Sequence, residues 1–162
     1  MNNKASTNIE NDRKTVIITG ASRGIGHHTA KCFLDRGWQI ITCSRDDVPA
    51  ECKRDPNWTN HFPADLSDPK SVAAFVEAVN DIVGDGPVHA LVNNAGLSPK
   101  SPHKERLGCL NGDLDAWQEV FELNLFAALR LSRGFASALH RGHGSIVNMT
   151  SIAGHKIHPF AG

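Results

Sequence analysis

The chain has 162 residues, 40% of them hydrophobic, the proportions of one globular domain with a single core. Lys plus Arg and Asp plus Glu both number 17 and the pI is about 7.1, so no electrostatic footprint for DNA, RNA or an acidic lipid surface is present. No apolar run approaches the roughly eighteen residues of a membrane span, and the polar opening MNNKASTNIENDRK has neither a signal-peptide core nor an arginine-rich amphipathic pattern.

These features lead us to expect a cytoplasmic protein whose residues 1–13 form a flexible N-terminal segment. Cys32, Cys43, Cys52 and Cys109 are scattered without a C-x-x-C pair and read as reduced thiols. His140 and His143, like His155 and His158, lie three apart but have no Cys, Asp or Glu beside them at ligand spacing, so they read as solvated loop histidines and no metal is expected.

In chain order, Thr15 to Thr19 (TVIIT) is a β-branched run ended by glycine, the pattern of a strand buried on both faces. A helix is predicted from Ile25 to Arg36, with Ile25, Thr29, Ala30, Phe33 and Leu34 on its packed face and Gly37 as its cap. Gln39 to Cys43 (QIITC) is a second strand and His61 to Ala64 a short third. Ser67, Asp68 and Pro69 open a helix in which Val72, Phe75, Val76, Val79, Ile82 and Val83 keep a 3.6-residue period up to Gly84. Ala90 to Val92 is a fourth strand, Asp113 to Leu139 mostly one long helix, and Ser145 to Met149 a fifth strand. Strands and helices alternate without a dividing linker, which predicts an α/β domain with a parallel sheet wrapped on both faces.

Between the first strand and first helix lies TGASRGIG, Thr19 to Gly26. Glycines at 20, 24 and 26 let backbone N–H groups and a helix N-terminus approach a pyrophosphate, because no Cβ intervenes and the helix dipole favours negative charge. The spacing is G-x-x-x-G-x-G rather than G-x-G-x-x-G, so the general dinucleotide fingerprint is not matched literally. The place of the turn in the first βαβ unit still points to phosphate binding by Gly20, Ser22, Arg23, Gly24, Ile25 and Gly26.

TGASRGIG, Asp65 and Leu66, NNAG at Asn93 to Gly96, Asn124 in FELN, and NMTS ending at Ser151 follow in the order and spacing of the short-chain dehydrogenase/reductase family. The chain resembles the N-terminal, cofactor-binding part of that family from about Lys14 to its last residue. The resemblance implies a partial Rossmann domain over 14–162, a doubly wound parallel sheet of about five strands, without the family's C-terminal strands and helices. It implies that Asp65 and Leu66 lie beside the adenine. It assigns Asn93, Asn94, Ala95 and Gly96 to the cofactor and to support of the central strand.

Asn124 carries a signal of its own. It lies on the apolar stripe of Trp117, Val120, Phe121, Leu125 and Ala128, where a buried amide needs hydrogen-bond partners or costs about 1–3 kcal/mol. The resemblance implies that it holds a water in a catalytic proton relay.

By the same resemblance Ser151 donates a hydrogen bond to a substrate carbonyl or hydroxyl, while a tyrosine about thirteen or fourteen residues later exchanges the proton with the help of a lysine four residues further on. That count falls beyond Gly162, and the 162 residues contain no tyrosine. The expectation is an oxidoreductase by family, acting on a small carbonyl or alcohol, and a fragment without turnover as it stands. A non-catalytic NADP(H)-binding module and an interaction protein on the Rossmann scaffold are the alternatives. A full-length form is expected to be a homo-oligomer.

NADP(H) is expected over NAD(H). An NAD-preferring relative places an acidic residue at the end of the second strand, and here that place holds Ser44 followed by Arg45, with Arg23 as a second guanidinium. Asp46 and Asp47 lie near enough to keep NAD(H) open. The excursion Gly96 to Asp113 names no substrate.

Overall fold

A computed structural model describes residues 13–50, 52, 55–58, 60–98, 100 and 113–152. All of the expected N-terminal segment except Arg13 lies outside the described residues, as do most of the excursion before Asp113, Cys109, His155 and His158.

The strands are β1 (Thr15–Thr19), β2 (Gln39–Ser44), β3 (Asn60–Pro63), β4 (Ala90–Asn93) and β5 (Ser145–Asn148). They form one parallel sheet in the order β3-β2-β1-β4-β5. The chain moves outward from β1 to β3, then returns to the other side of β1 for β4 and β5. The order therefore reverses between β1 and β4, where an open α/β sheet leaves a crevice at the carboxyl ends of its strands. This is the doubly wound Rossmann-type architecture expected from the alternation.

Alternation within β1 divides the core. Ile17 faces one side with Ile41 and Leu91, against Val72, Phe75 and Val79 of α2 (Pro69–Val83) and Leu131 and Phe135 further on. Val16 and Ile18 face the other, with Ile40, Val92, Trp58 and Ala30 of α1 (Gly24–Leu34). Each such side chain removed from water contributes about 1.5–3 kcal/mol, which makes strands buried on both faces the rigid base for the loops at their ends.

α2 starts as its sequence dictates: Asp68 accepts from the Lys70 amide at 2.9 Å, Pro69 follows, and Gly84 (φ 53°) ends the helix. α1 ends at Leu34, two residues short of expectation, with the turn to Gly37 (φ 73°) closed by the Gly37 amide on the Leu34 carbonyl.

Two expectations are corrected. The long helix is divided into α3 (Leu114–Phe121), a π-helical turn (Glu122–Phe126), α4 (Ala127–Gly134) and α5 (Ala136–Arg141). The stripe through Phe121 and Leu125 is not the packed face: both are 53% exposed and Asn124 is exposed too, whereas Ala127, Leu131, Phe135 and Ala138 are buried. A π turn inserts one residue, so a count carried across it at 3.6 per turn drifts by about 100°. Ile25, expected on the packed face of α1, is 65% exposed because the first turn of that helix stands at the crevice.

Candidate active site

The crevice is keyed by Thr19, at the end of β1 and 1% exposed. Its hydroxyl accepts from the amides of Asn94 (3.0 Å) and Ala95 (2.9 Å), and the Asn94 side chain donates back to the carbonyls of Thr19 (2.9 Å) and Gly20 (3.2 Å). Four hydrogen bonds thus stitch the glycine turn to the loop after β4. Thr19 had no role in the sequence reading beyond ending a strand; the available signal was a hydroxyl closing an otherwise apolar run before glycine.

The glycine turn has two separate requirements. Gly24 adopts φ 60° with open space where a Cβ would stand, so its need is conformational. Gly26 has no room, since a Cβ would collide with the Gly20 carbonyl oxygen and the Asn94 amide. Arg23, the N-cap of α1, is extended and its side chain makes no capping hydrogen bond to the helix end. α2 and α3 by contrast are capped by Asp68 and Asp113. The first amides of α1 are left as donors at the positive end of a helix dipole, next to a cleft, which suits an anion.

That cleft, of about 280 Å³, is lined by Gly20, Ser22, Arg23 and Ile25 from the turn, Ser44 at the end of β2 with Arg45 and Asp46 following it, Asp65 and Leu66 after β3, and Asn94, Ala95 and Gly96 after β4. Of the residues singled out as cofactor-binding, Gly24, Gly26 and Asn93 alone stand off its wall. Asp65 accepts from the Ser67 hydroxyl (2.7 Å) and amide (3.0 Å); the hydroxyl bond first, with Arg45 adding attraction, holds its carboxyl below the usual carboxylate range. Arg23 is engaged: its guanidinium meets the Asp46 carboxylate at 3.1 Å, both groups largely exposed.

A second cleft of about 780 Å³ adjoins the first through Ile25 and Asn94 to Gly96, and is lined by Asn93, Asn124, Leu125, Leu129, Met149 and Ser151. Asn124 is not idle: its Oδ1 accepts from the Leu97 amide (2.9 Å) and its Nδ2 donates to the Leu97 carbonyl (2.8 Å), so the amide clamps the loop leaving β4 to the π turn. Asn93 is 7% exposed and donates from Nδ2 to Oδ1 of Asn148, its register partner on β5, at 2.8 Å. Its own Oδ1 is buried without a hydrogen-bond partner among the described residues. Ser151 and Asn124 thus both line this second cleft, which shares the Asn94–Gly96 loop with the first.

A crevice at a strand-order reversal, floored by a glycine turn and an uncapped helix, defines a nucleotide-binding α/β protein. The short chain dehydrogenase family model matches residues 14–161, and the chain belongs to that family. Protein FixR of Bradyrhizobium diazoefficiens is 46% identical over 150 residues, covering 92% of this chain and 54% of that protein. Ketoacyl reductase HetN of Nostoc is 34% identical over 149 residues, covering 88% and 49%. The chain thus spans about half the length of the curated relatives it matches.

Among solved structures, an oxidoreductase of this family from Brucella ovis, in complex with a partially ordered NAD, is 43% identical with a TM-score of 0.83, the match covering 93% of this chain and 69% of that one. NADPH-bound carbonyl reductase from chicken fatty liver is 25% identical with a TM-score of 0.74, covering 88% and 61%. A nicotinamide dinucleotide is accordingly the class of cofactor that its structural neighbours bind.

Proposed function

We propose that this chain holds the dinucleotide of an NAD(P)-dependent oxidoreductase that moves a hydride between NADP(H) and a carbonyl or alcohol. The observation that carries this reading is the single cleft formed by Gly20, Ser22, Ser44, Arg45, Asp65 and Asn94, groups spread along the chain that meet at the free N-terminus of α1. The amides of Gly24, Ile25 and Gly26 and the Ser22 hydroxyl would hold the pyrophosphate, Asp65 and Leu66 the adenine, and Asn93 to Gly96 the nicotinamide side. A bound nicotinamide supplies or accepts the hydride.

The second cleft is the place for substrate. Ser151 is assigned to donate a hydrogen bond to the substrate oxygen, and Asn124 to fix the wall through Leu97. A serine hydroxyl titrates too far from neutrality to cycle a proton by itself, so the acid–base role is not assigned to Ser151. Among the described residues Cys32, Cys43 and Cys52 form no disulfide, which supports a reducing, cytoplasmic setting.

Arg45 on the cleft wall, with no acidic residue at the end of β2, favours NADP(H). The second reading, NAD(H), draws on the Arg23–Asp46 pair, which satisfies one of the two guanidiniums from within. Calorimetric titration with NADPH and NADH decides: saturable binding of either supports the dinucleotide reading, tighter NADPH supports the finer one, equal or tighter NADH overturns the finer one, and no saturation by either at millimolar concentration overturns both.

A further inference from the structure

Behind the Ser44–Asp46 turn runs a chain of side chains that the cofactor reading does not use. The indole of Trp58, 2% exposed, donates from Nε1 to the Thr42 hydroxyl at 2.8 Å. That hydroxyl lies 2.9 Å from Nδ1 of His61, its register partner on β3. The opposite ring nitrogen, Nε2, lies 3.2 Å from the Ser44 hydroxyl and 3.2 Å from the Asp46 carbonyl. Ser44 itself donates to that carbonyl at 2.6 Å.

One assignment of protons satisfies every link. Trp58 can only donate, so Thr42 accepts there and turns its own proton to Nδ1 of His61. Nε2 then carries the ring proton and donates to Ser44 and the Asp46 carbonyl, and the Ser44 proton goes to the same carbonyl. The alternative acceptor for Thr42, the Asn60 carbonyl, is at 3.4 Å. His61 thereby connects a buried indole to the backbone of the turn whose residues Ser44, Arg45 and Asp46 line the first cleft. Thr42 is buried and does not line that cleft.

We propose, on the strength of the dinucleotide site proposed above, that His61 is a positioning residue for cofactor choice: through Nε2 it fixes the Ser44–Asp46 turn, and so sets discrimination at the 2′ position of the adenosine ribose. It touches no cofactor atom. With the ring gone, the Asp46 carbonyl keeps the Ser44 hydroxyl alone and the turn that presents Arg45 relaxes.

The test is calorimetric titration of the protein with 2′,5′-ADP and 5′-AMP, probes that differ only by the phosphate at the 2′ position. His61→Phe keeps an aromatic ring but no donor, and should move the ratio of the two affinities about ten-fold toward one, the worth of one lost hydrogen bond. His61→Gln, which restores a donor near the Nε2 position, should recover most of the wild-type ratio. Thr42→Val, remote from the cleft, should move the ratio in the same direction as His61→Phe, and serves if His61→Phe fails to fold. A wild-type protein that binds neither probe sinks the cofactor reading itself. Binding of both with a ratio within twofold of one in wild type, or a ratio unchanged in His61→Phe or in Thr42→Val, or equal weakening of both probes, sinks the role of His61 and leaves the cofactor reading standing.

Discussion

On the β2 side of the Asn94–Gly96 loop, the cleft wall is polar and held by short hydrogen bonds from Thr19, Asn94, Ser67 and Ser44. On the β5 side, Leu125, Leu129 and Met149 stand 53%, 53% and 45% exposed and all four residues of β5 are exposed, with the polar groups of Asn93, Asn124, Asn148, Thr150 and Ser151 set beside this apolar surface. The contrast follows from what each wall would meet. A dinucleotide presents the same phosphates and sugars at every turnover, so donors fixed in advance cost no reorganisation on binding. A substrate pocket needs apolar surface beside placed polar groups, and the β5 side carries both.

The contrast breaks most plainly at Ser151. In any form of the protein that turns over, Ser151→Ala should lower kcat/KM by about a hundred-fold or more while the dinucleotide Kd stays within twofold. A polypeptide of these 162 residues alone should show no NADPH oxidation with a panel of carbonyls, since proton transfer by a placed acid is worth about 10²–10⁴-fold. Robust turnover there would move the acid into the residues described above.

The opposite wall is probed by Gly26→Ala. The added methyl meets the Gly20 carbonyl and the Asn94 amide, so the stitch between β1 and β4 must open. Overpacking of this kind costs about 1–3 kcal/mol, read as a lower urea midpoint, and should raise the dinucleotide Kd at least ten-fold. A variant with unaltered binding would show that the turn is not where phosphate sits. Arg45→Ala is gentler: it should erode any preference for NADPH by about ten- to a hundred-fold and leave NADH affinity near its starting value. An unchanged preference would transfer the role to Arg23, released from Asp46.

How much of this could be read before folding differs between the two walls. The sheet was legible because its strands are short β-branched runs and its helices carry their own stops, Asp68 with Pro69 and Gly84. The glycine turn was legible because phosphate chemistry fixes both residue type and place in the βαβ unit. The π turn was not, because no residue type marks the insertion and the spacing argument silently assumes a constant period. Nor was the link from Trp58 to Asp46. It depends on the pairing of Thr42 with His61, which is a property of the β2–β3 register rather than of either strand. Asn124 falls between: its need for partners was legible, but not that a backbone loop would fill both ends of its amide.

The smallest expected effect lies at the far end of the sheet, away from both clefts. The Thr15 amide donates to Nδ1 of His89 at 3.0 Å, which requires that nitrogen unprotonated, and the ring meets Trp38 edge-on at 6.1 Å with Lys14 above that indole. Burial first, then the Lys14 charge, pulls the His89 pKa below its ordinary 6.5. A histidine whose folded pKa is depressed takes up its proton more readily in the unfolded chain. Its contribution to stability is therefore complete above about pH 6.5 and is lost as the pH falls from there through the lower folded value. His89→Asn keeps an acceptor near the Nδ1 position and does not titrate. Urea midpoints measured from pH 8 to pH 5 should fall more steeply for the wild type than for His89→Asn, with the divergence beginning near pH 6.5. Asp65, whose depressed carboxyl loses its contribution only as the pH falls below about 4, stays out of that window. Because the Thr15–His89 contact joins the amino ends of β1 and β4, acid should loosen the sheet from below while the ratio of NADPH to NADH affinity holds. Parallel slopes for the two proteins would show that the Thr15 amide finds another acceptor when His89 is charged.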